Sequence, residues 1–81
     1  MIHPTQIRAA RGLVGLSQKD LATRAKIGLA TLQRIEAANT ALRGNIQTAD
    51  KLRRALETAG IVFIDQDGNN GPGVRLRDPL P

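Results

Sequence analysis

A single phenylalanine, Phe63, is the whole aromatic content of this chain, which has no Tyr, no Trp and no Cys among its 81 residues. The core must therefore come from Leu, Ile, Val and Ala, a set that suits closely packed helices better than a β-sandwich. Without cysteine there is no disulfide framework, no cysteine-ligated zinc and no thiol nucleophile. A chain this short holds one small domain and has little room for a buried catalytic cleft. To fold without covalent staples it depends on tidy helix packing or on a partner subunit. No apolar run approaches the roughly 20 residues that a membrane span needs. Met1-Ile2-His3-Pro4 lacks the charged-then-apolar order of a signal peptide. The expected address is a reducing cytoplasm, with no membrane partner.

Charge narrows the partner. Twelve Lys and Arg against seven Asp and Glu give +5 and an isoelectric point near 11.2. The excess is confined to residues 1–60, which hold ten basic and four acidic side chains, whereas residues 61–81 hold two and three. Nine of the twelve cations are Arg, whose planar fork suits phosphate and guanine. Such a balance favours a polyanion, with nucleic acid ahead of a membrane surface. A merely well-solvated surface is the plainer alternative.

The chain shows no internal repeat or low-complexity stretch, and its character changes once, at Ala59-Gly60. The spacing predicts a first helix over Thr5–Val14, with Pro4 where a missing N–H does no harm and Ile7, Ala10, Arg11 and Val14 on one face. Gly15 ends it. Ser17 reads as the cap of a second helix, Gln18–Ala25, with Asp20 in its first turn and Leu21, Ala22 and Ala25 facing inward. Lys26-Ile27-Gly28 connects to a third helix, Leu29–Ala38, with Leu32 and Ile35 on its core side. Asn39-Thr40 and Arg43-Gly44 mark a loop. Asn45 is the expected cap of a fourth helix through Ala59, with Ile46, Ala49, Leu52, Leu56 and Ala59 stacked on its core side and Gly60 as its stop.

Beyond Gly60 the pattern is strand-like at Ile61–Ile64 and Val74–Leu76, with Asp67-Gly68 and Asn70-Gly71 as hairpin-type turn pairs. Ile61 and Phe63 point one way in such a strand, Val62 and Ile64 the other. A strand apolar on both faces calls for two covers, so Ile61, Val62, Phe63 and Ile64 are expected to pack on the helices and on a second protomer. A strand with one or two exposed aliphatics is the alternative. The expected organisation is a basic helical unit over residues 1–60 and a strand or hairpin extension over 61–81 that serves as the dimerisation element.

Residues 18–37 are the most specific feature. Apolar residues at Leu21, Ala25, Ile27, Leu32 and Ile35, with small Ala22 at the crossing, are what two short helices meeting around a shared wedge require. The outer face of the second of these carries Leu29, Ala30, Gln33 and Arg34, with Thr31 nearby. Leu16-Ser17-Gln18-Lys19-Asp20-Leu21-Ala22 and Thr31-Leu32-Gln33-Arg34-Ile35-Glu36 resemble the two halves of the Cro/phage-repressor (XRE-type) helix-turn-helix signature, over about residues 5–59. The resemblance implies a mainly α, compact four- to five-helix repressor-like domain, here with a short C-terminal β-strand or hairpin. It implies that Gln18 touches a phosphate or the first base of the site. Arg34 and Gln33 would reach base edges, Thr31 would bond a phosphate or a base edge, and Arg11 with Glu36 would form a structural ion pair. Lys19, Arg24 and Arg43 would flank the groove as phosphate contacts. Two positions depart from the family pattern. Lys26 stands where Gly is usual, and Gly28-Leu29-Ala30 replaces the polar run that opens the recognition helix. Leu29 and Ala30 can pack on thymine methyl groups but cannot hydrogen-bond a base.

Other chemistry finds no support. His3 stands alone beside the terminus with no second ligand, so no metal is implied. Ser17 is a cap without a base to activate it. Gly68–Gly73 lacks the Lys-Ser/Thr and the helix of a phosphate loop, and Asp65 and Asp67 lack the Glu of a calcium loop. Arg53 and Arg54 read as an exposed helix face. The expectation is a non-enzymatic, cofactor-free homodimeric regulator, a bacterial or phage-type repressor, binding double-stranded DNA at an inverted repeat. The alternatives are a protein-binding helix-turn-helix module, such as an antitoxin that covers a toxin or an anti-activator that masks a transcription factor, and a nonspecific architectural DNA binder.

Overall fold

The computed structural model describes residues 2–38 and 46–81, in the order α1 (Pro4–Val14), α2 (Gln18–Ala25), α3 (Leu29–Ala37), α4 (Ile46–Thr58), β1 (Ile61–Ile64) and β2 (Gly73–Leu76). This is the mainly helical domain with a C-terminal hairpin that the spacing predicts. The expected loop at Asn39-Thr40 and Arg43-Gly44, and the cap at Asn45, lie outside the described residues.

Local chemistry sets the helix limits. α1 starts one residue before its predicted start, because His3 rather than Pro4 is the cap. The His3 Nδ1 accepts from the Thr5 N–H at 3.2 Å, and the Gln6 Oε1 accepts from the His3 N–H at 2.7 Å. His3 is thus tied into the helix start, and Ile2 before it is buried. Gly15, at φ +73°, closes α1 in the left-handed conformation that glycine adopts without strain. Ser17 and Asp20 cap α2 reciprocally, the Ser17 Oγ accepting from the Asp20 N–H at 3.0 Å and the Asp20 Oδ2 from the Ser17 N–H at 3.3 Å. α2 ends on Lys26, also left-handed at φ 58°. A side chain there costs about 1 kcal/mol relative to glycine. α3 has no side-chain cap at Gly28 and stops at Ala37, one residue early, as Ala38 turns extended.

α2 packs between α3 and α4, α1 lies against α3 and β2, and α4 carries β1. Ile7, Leu21, Leu32, Leu52 and Leu56 are fully buried at their junction, joined by Ala10, Ala22, Ala25, Ile61 and Phe63. Burying each large aliphatic side chain contributes about 2 kcal/mol before chain entropy is set against it. Val14, Ile35 and Ala49 pack partly buried at the margin. Ile46 does not join them. It is 84% exposed, because the helix meets α2 and β1 through Leu52 and Leu56, while its first residue overhangs the contact. α4 stops at Thr58 rather than Ala59, and Ala59 is only half-buried.

β1 and β2 pair antiparallel, Ile61 opposite Leu76 and Ile64 opposite Gly73. That register leaves residues 65–72 as the connection, so neither predicted turn pair makes a two-residue hairpin. Such a turn needs left-handed residues, and among the described residues only Gly15, Lys26 and Gly60 have positive φ. The connection folds instead around Asp67, whose Oδ1 accepts from the Asn69 and Asn70 N–H groups at 2.7 and 2.8 Å. Ile61 and Phe63 point into the core, Val62 is half-buried and Ile64 is 44% exposed. Arg53, expected to be simply solvated, lies over the Phe63 ring at 5.3 Å and joins α4 to β1. The Gln6 amide, itself buried, donates to the Ile64 and Gly73 carbonyls at 3.2 and 3.0 Å and so fastens α1 to the hairpin.

Candidate nucleic-acid interface

Glu36 organises the helices that carry the expected DNA contacts. It is buried at the end of α3, and an unpaired carboxylate there would be costly. Arg11 of α1 answers it with two hydrogen bonds, Nε to Oε2 and Nη2 to Oε1, each 2.7 Å. The Gln18 Nε2 adds a bond to Oε1 at 3.2 Å from the first residue of α2. The Arg11 Nη1 continues to the Leu16 carbonyl at 3.1 Å, and Arg8 donates to the Glu36 backbone carbonyl. Three helices therefore converge on one residue. The Arg11 guanidinium is held above its ordinary pKa, mainly by its hydrogen bond to Glu36, so it stays charged through any ordinary pH.

This frame fixes α3 against α2 and leaves its far side in solvent. Leu29, Ala30, Gln33 and Arg34 are exposed there, and Thr31 is half-buried. Thr31 Oγ1 accepts from the Arg34 Nη2 at 3.3 Å, which lays the arginine back along one turn of the helix. Lys19 is exposed in the first turn of α2, next to Gln18. Gln18 has part of its amide committed to Glu36, with one N–H and the Oε1 still unspent. Of the anticipated contacts, the fold places Leu29, Ala30, Gln33 and Arg34 on one exposed helix face and Gln18 and Lys19 at the start of its neighbour. Arg43 lies outside the described residues.

A helix-turn-helix family model matches residues 7–59, well over half of the chain. The chain belongs to the XRE/Cro-type helix-turn-helix family. It is a DNA-binding regulator of that kind, and the match covers all of α2, α3 and α4 but stops short of the hairpin. No curated protein matches the chain significantly. Among the described residues, no helix is long and apolar enough to cross a membrane.

Two contributors, Arg8 and Gln6, were not singled out from the sequence. Arg8 is three residues from Arg11 on the same helix, a spacing that signals a shared face. Gln6 sits three residues after His3, the offset of a capping box. Nothing local marks Gln6 as the link to β1 and β2, because its partners lie 58 and 67 residues further on.

Proposed function

We propose that this XRE/Cro-type protein is a sequence-specific repressor that acts in the cytoplasm and binds an inverted-repeat operator as a homodimer. The observation that carries this reading is the exposed α3 face, with Gln33 and Arg34 side by side on a helix anchored through Glu36. Arg34 is the bidentate donor to guanine O6 and N7, and Gln33 reads the neighbouring base pair. Leu29 and Ala30 pack against thymine methyl groups, and Thr31 bonds a phosphate or steers Arg34. Gln18, Lys19 and Arg43 meet the phosphates that set the register. Two protomers joined through the outward side of the hairpin, at Val62 and Ile64, place two α3 helices in major grooves about one helical turn apart. Repression follows from covering a promoter.

Selection of binding sites from a random duplex pool at near-physiological salt, with Arg34→Ala in parallel, tests this. An enriched inverted repeat that loses one specified base pair in the variant is the expected result. Enrichment of a single half-site would remove the dimer. The exposed Leu29 and Ala30 favour a second reading, a helix face that binds protein. Folded protein that enriches no sequence would replace the repressor reading with that one.

A further inference from the structure

The end of α2 and the middle of α4 enclose a groove of about 550 Å³ to which α3 contributes no residue. Ala25 and Ala55 form its floor, and two rims of cations border it, Arg24 and Lys26 from α2 and its cap, Lys51 and Arg54 from α4, with Thr58 completing the lining. All four cations are exposed. Arg54 shares its charge with Asp50 at 2.9 Å, whereas Arg24, Lys26 and Lys51 make no ion pair among the described residues. Four positive charges around a small apolar trough meet only one carboxylate of the chain's own.

Lys26 belongs to one rim of the groove. It is the only residue other than glycine with positive φ among those described, at a position where glycine would sit without strain. Its conformation is that of the α2 C-cap, with the Lys26 N–H donating to the Ala22 and Thr23 carbonyls, and its side chain adds a cation to the rim there.

We propose that this groove is a second binding surface, which takes an acidic, amphipathic segment of a partner protein. Its carboxylates pair with the two rims, and a small apolar side chain rests on Ala25 and Ala55. A DNA duplex suits the site less well, since it offers phosphates to the rims but nothing to the apolar floor. The surface stands apart from the α3 face and shares with the expected DNA contacts only Arg24, so it does not rest on the operator-binding reading.

The test uses the full chain, isotope-labelled, titrated with a synthetic helical peptide of Glu, Ala and Leu that carries its leucines on one face. The peptide is expected to shift the amides of Ala25, Ala55 and Thr58. Its affinity should fall at least about 5-fold in Lys26→Gly and in Lys51→Ala, with duplex affinity held within about 2-fold. Because Lys26→Gly relieves strain, a loss in that variant cannot be blamed on misfolding. No saturable shift at millimolar peptide, shifts confined to α3 or the hairpin, or unchanged affinity in both variants would overturn the proposal. So would duplex DNA that moves the same amides and weakens in the same variants, or peptide-free, concentration-dependent shifts there that reveal a second copy of this chain.

Discussion

Arg11 on the first helix meets Glu36 on the third through two parallel 2.7 Å hydrogen bonds, one to each carboxylate oxygen. Only Arg, with its planar fork, can answer a carboxylate in this way, and Lys could not take its place without losing one bond. Arg11→Ala strands a buried carboxylate and is expected to cost about 3 kcal/mol. At about 4–8 °C per kcal/mol for a domain of this size, the thermal midpoint should fall by more than 10 °C. A melting curve that coincides with the parent's would show that the pair does not hold the fold.

The sign of the pH dependence follows from the same pair. Arg11 has a raised pKa, chiefly through its hydrogen bond to Glu36, so its contribution is complete below the unfolded guanidinium's pKa and disappears only as pH rises through the still higher folded value. Stability measured by denaturant between neutral pH and pH 9 should therefore show no loss that Arg11→Ala abolishes.

Arg34 and Lys19 should separate reading from holding. Arg34→Ala is expected to relax preference at one base pair at a cost of about 1–3 kcal/mol on the specific site. Lys19→Ala should weaken every duplex alike and lower the slope of log affinity against log salt by about 1. Equal losses from both variants on specific and random duplexes would remove the base-reading role of Arg34.

Lys26→Gly should stabilise the protein. Removing the side chain from a left-handed residue returns about 1 kcal/mol, partly offset by the freer unfolded chain. Differential scanning calorimetry should show a higher midpoint, and a lower one would mean that the Lys26 side chain makes a stabilising contact.

Asp67 predicts an acid-side event in the hairpin connection. The Asn69 and Asn70 N–H groups hold its carboxyl below the ordinary value of 3.8. A depressed pKa stabilises the turn above the unfolded value and withdraws that support as pH falls through the folded one. Carboxyl NMR should place the Asp67 midpoint under 3.8, with the Asn69 and Asn70 amides moving in the same step. A midpoint at or above 3.8 would show that these bonds do not persist in solution.

What could be read from the sequence was what neighbouring residues decide among themselves. Ser17 announces a helix cap with Asp20 in the first turn, Gly15 and Gly60 announce helix ends, and Leu21, Leu32, Leu52 and Leu56 repeat at helical spacing. Ile46 fits the same repeat yet is exposed, because burial depends on whether another element lies opposite it. Asp67-Gly68 and Asn70-Gly71 resemble turns, but the register of β1 and β2 is decided by packing on α1 and α4. At the candidate interface, the face of α3 was legible from periodicity. The hold of Glu36 on Gln18 was not, since its donor and acceptor are 18 residues apart and on different helices.

The Gln6 clasp also bears on how the protein is made. Residue 6 leaves the ribosome long before residue 73, so the Gln6 amide lacks its hairpin partners until the segment through Gly73 has been synthesised. A translation product halted ahead of Gly73 keeps every helix that carries the family pattern, but it leaves a polar group where the completed protein buries one. A fragment that stops short of β2 is therefore expected to be cleaved by proteases faster than one that includes it.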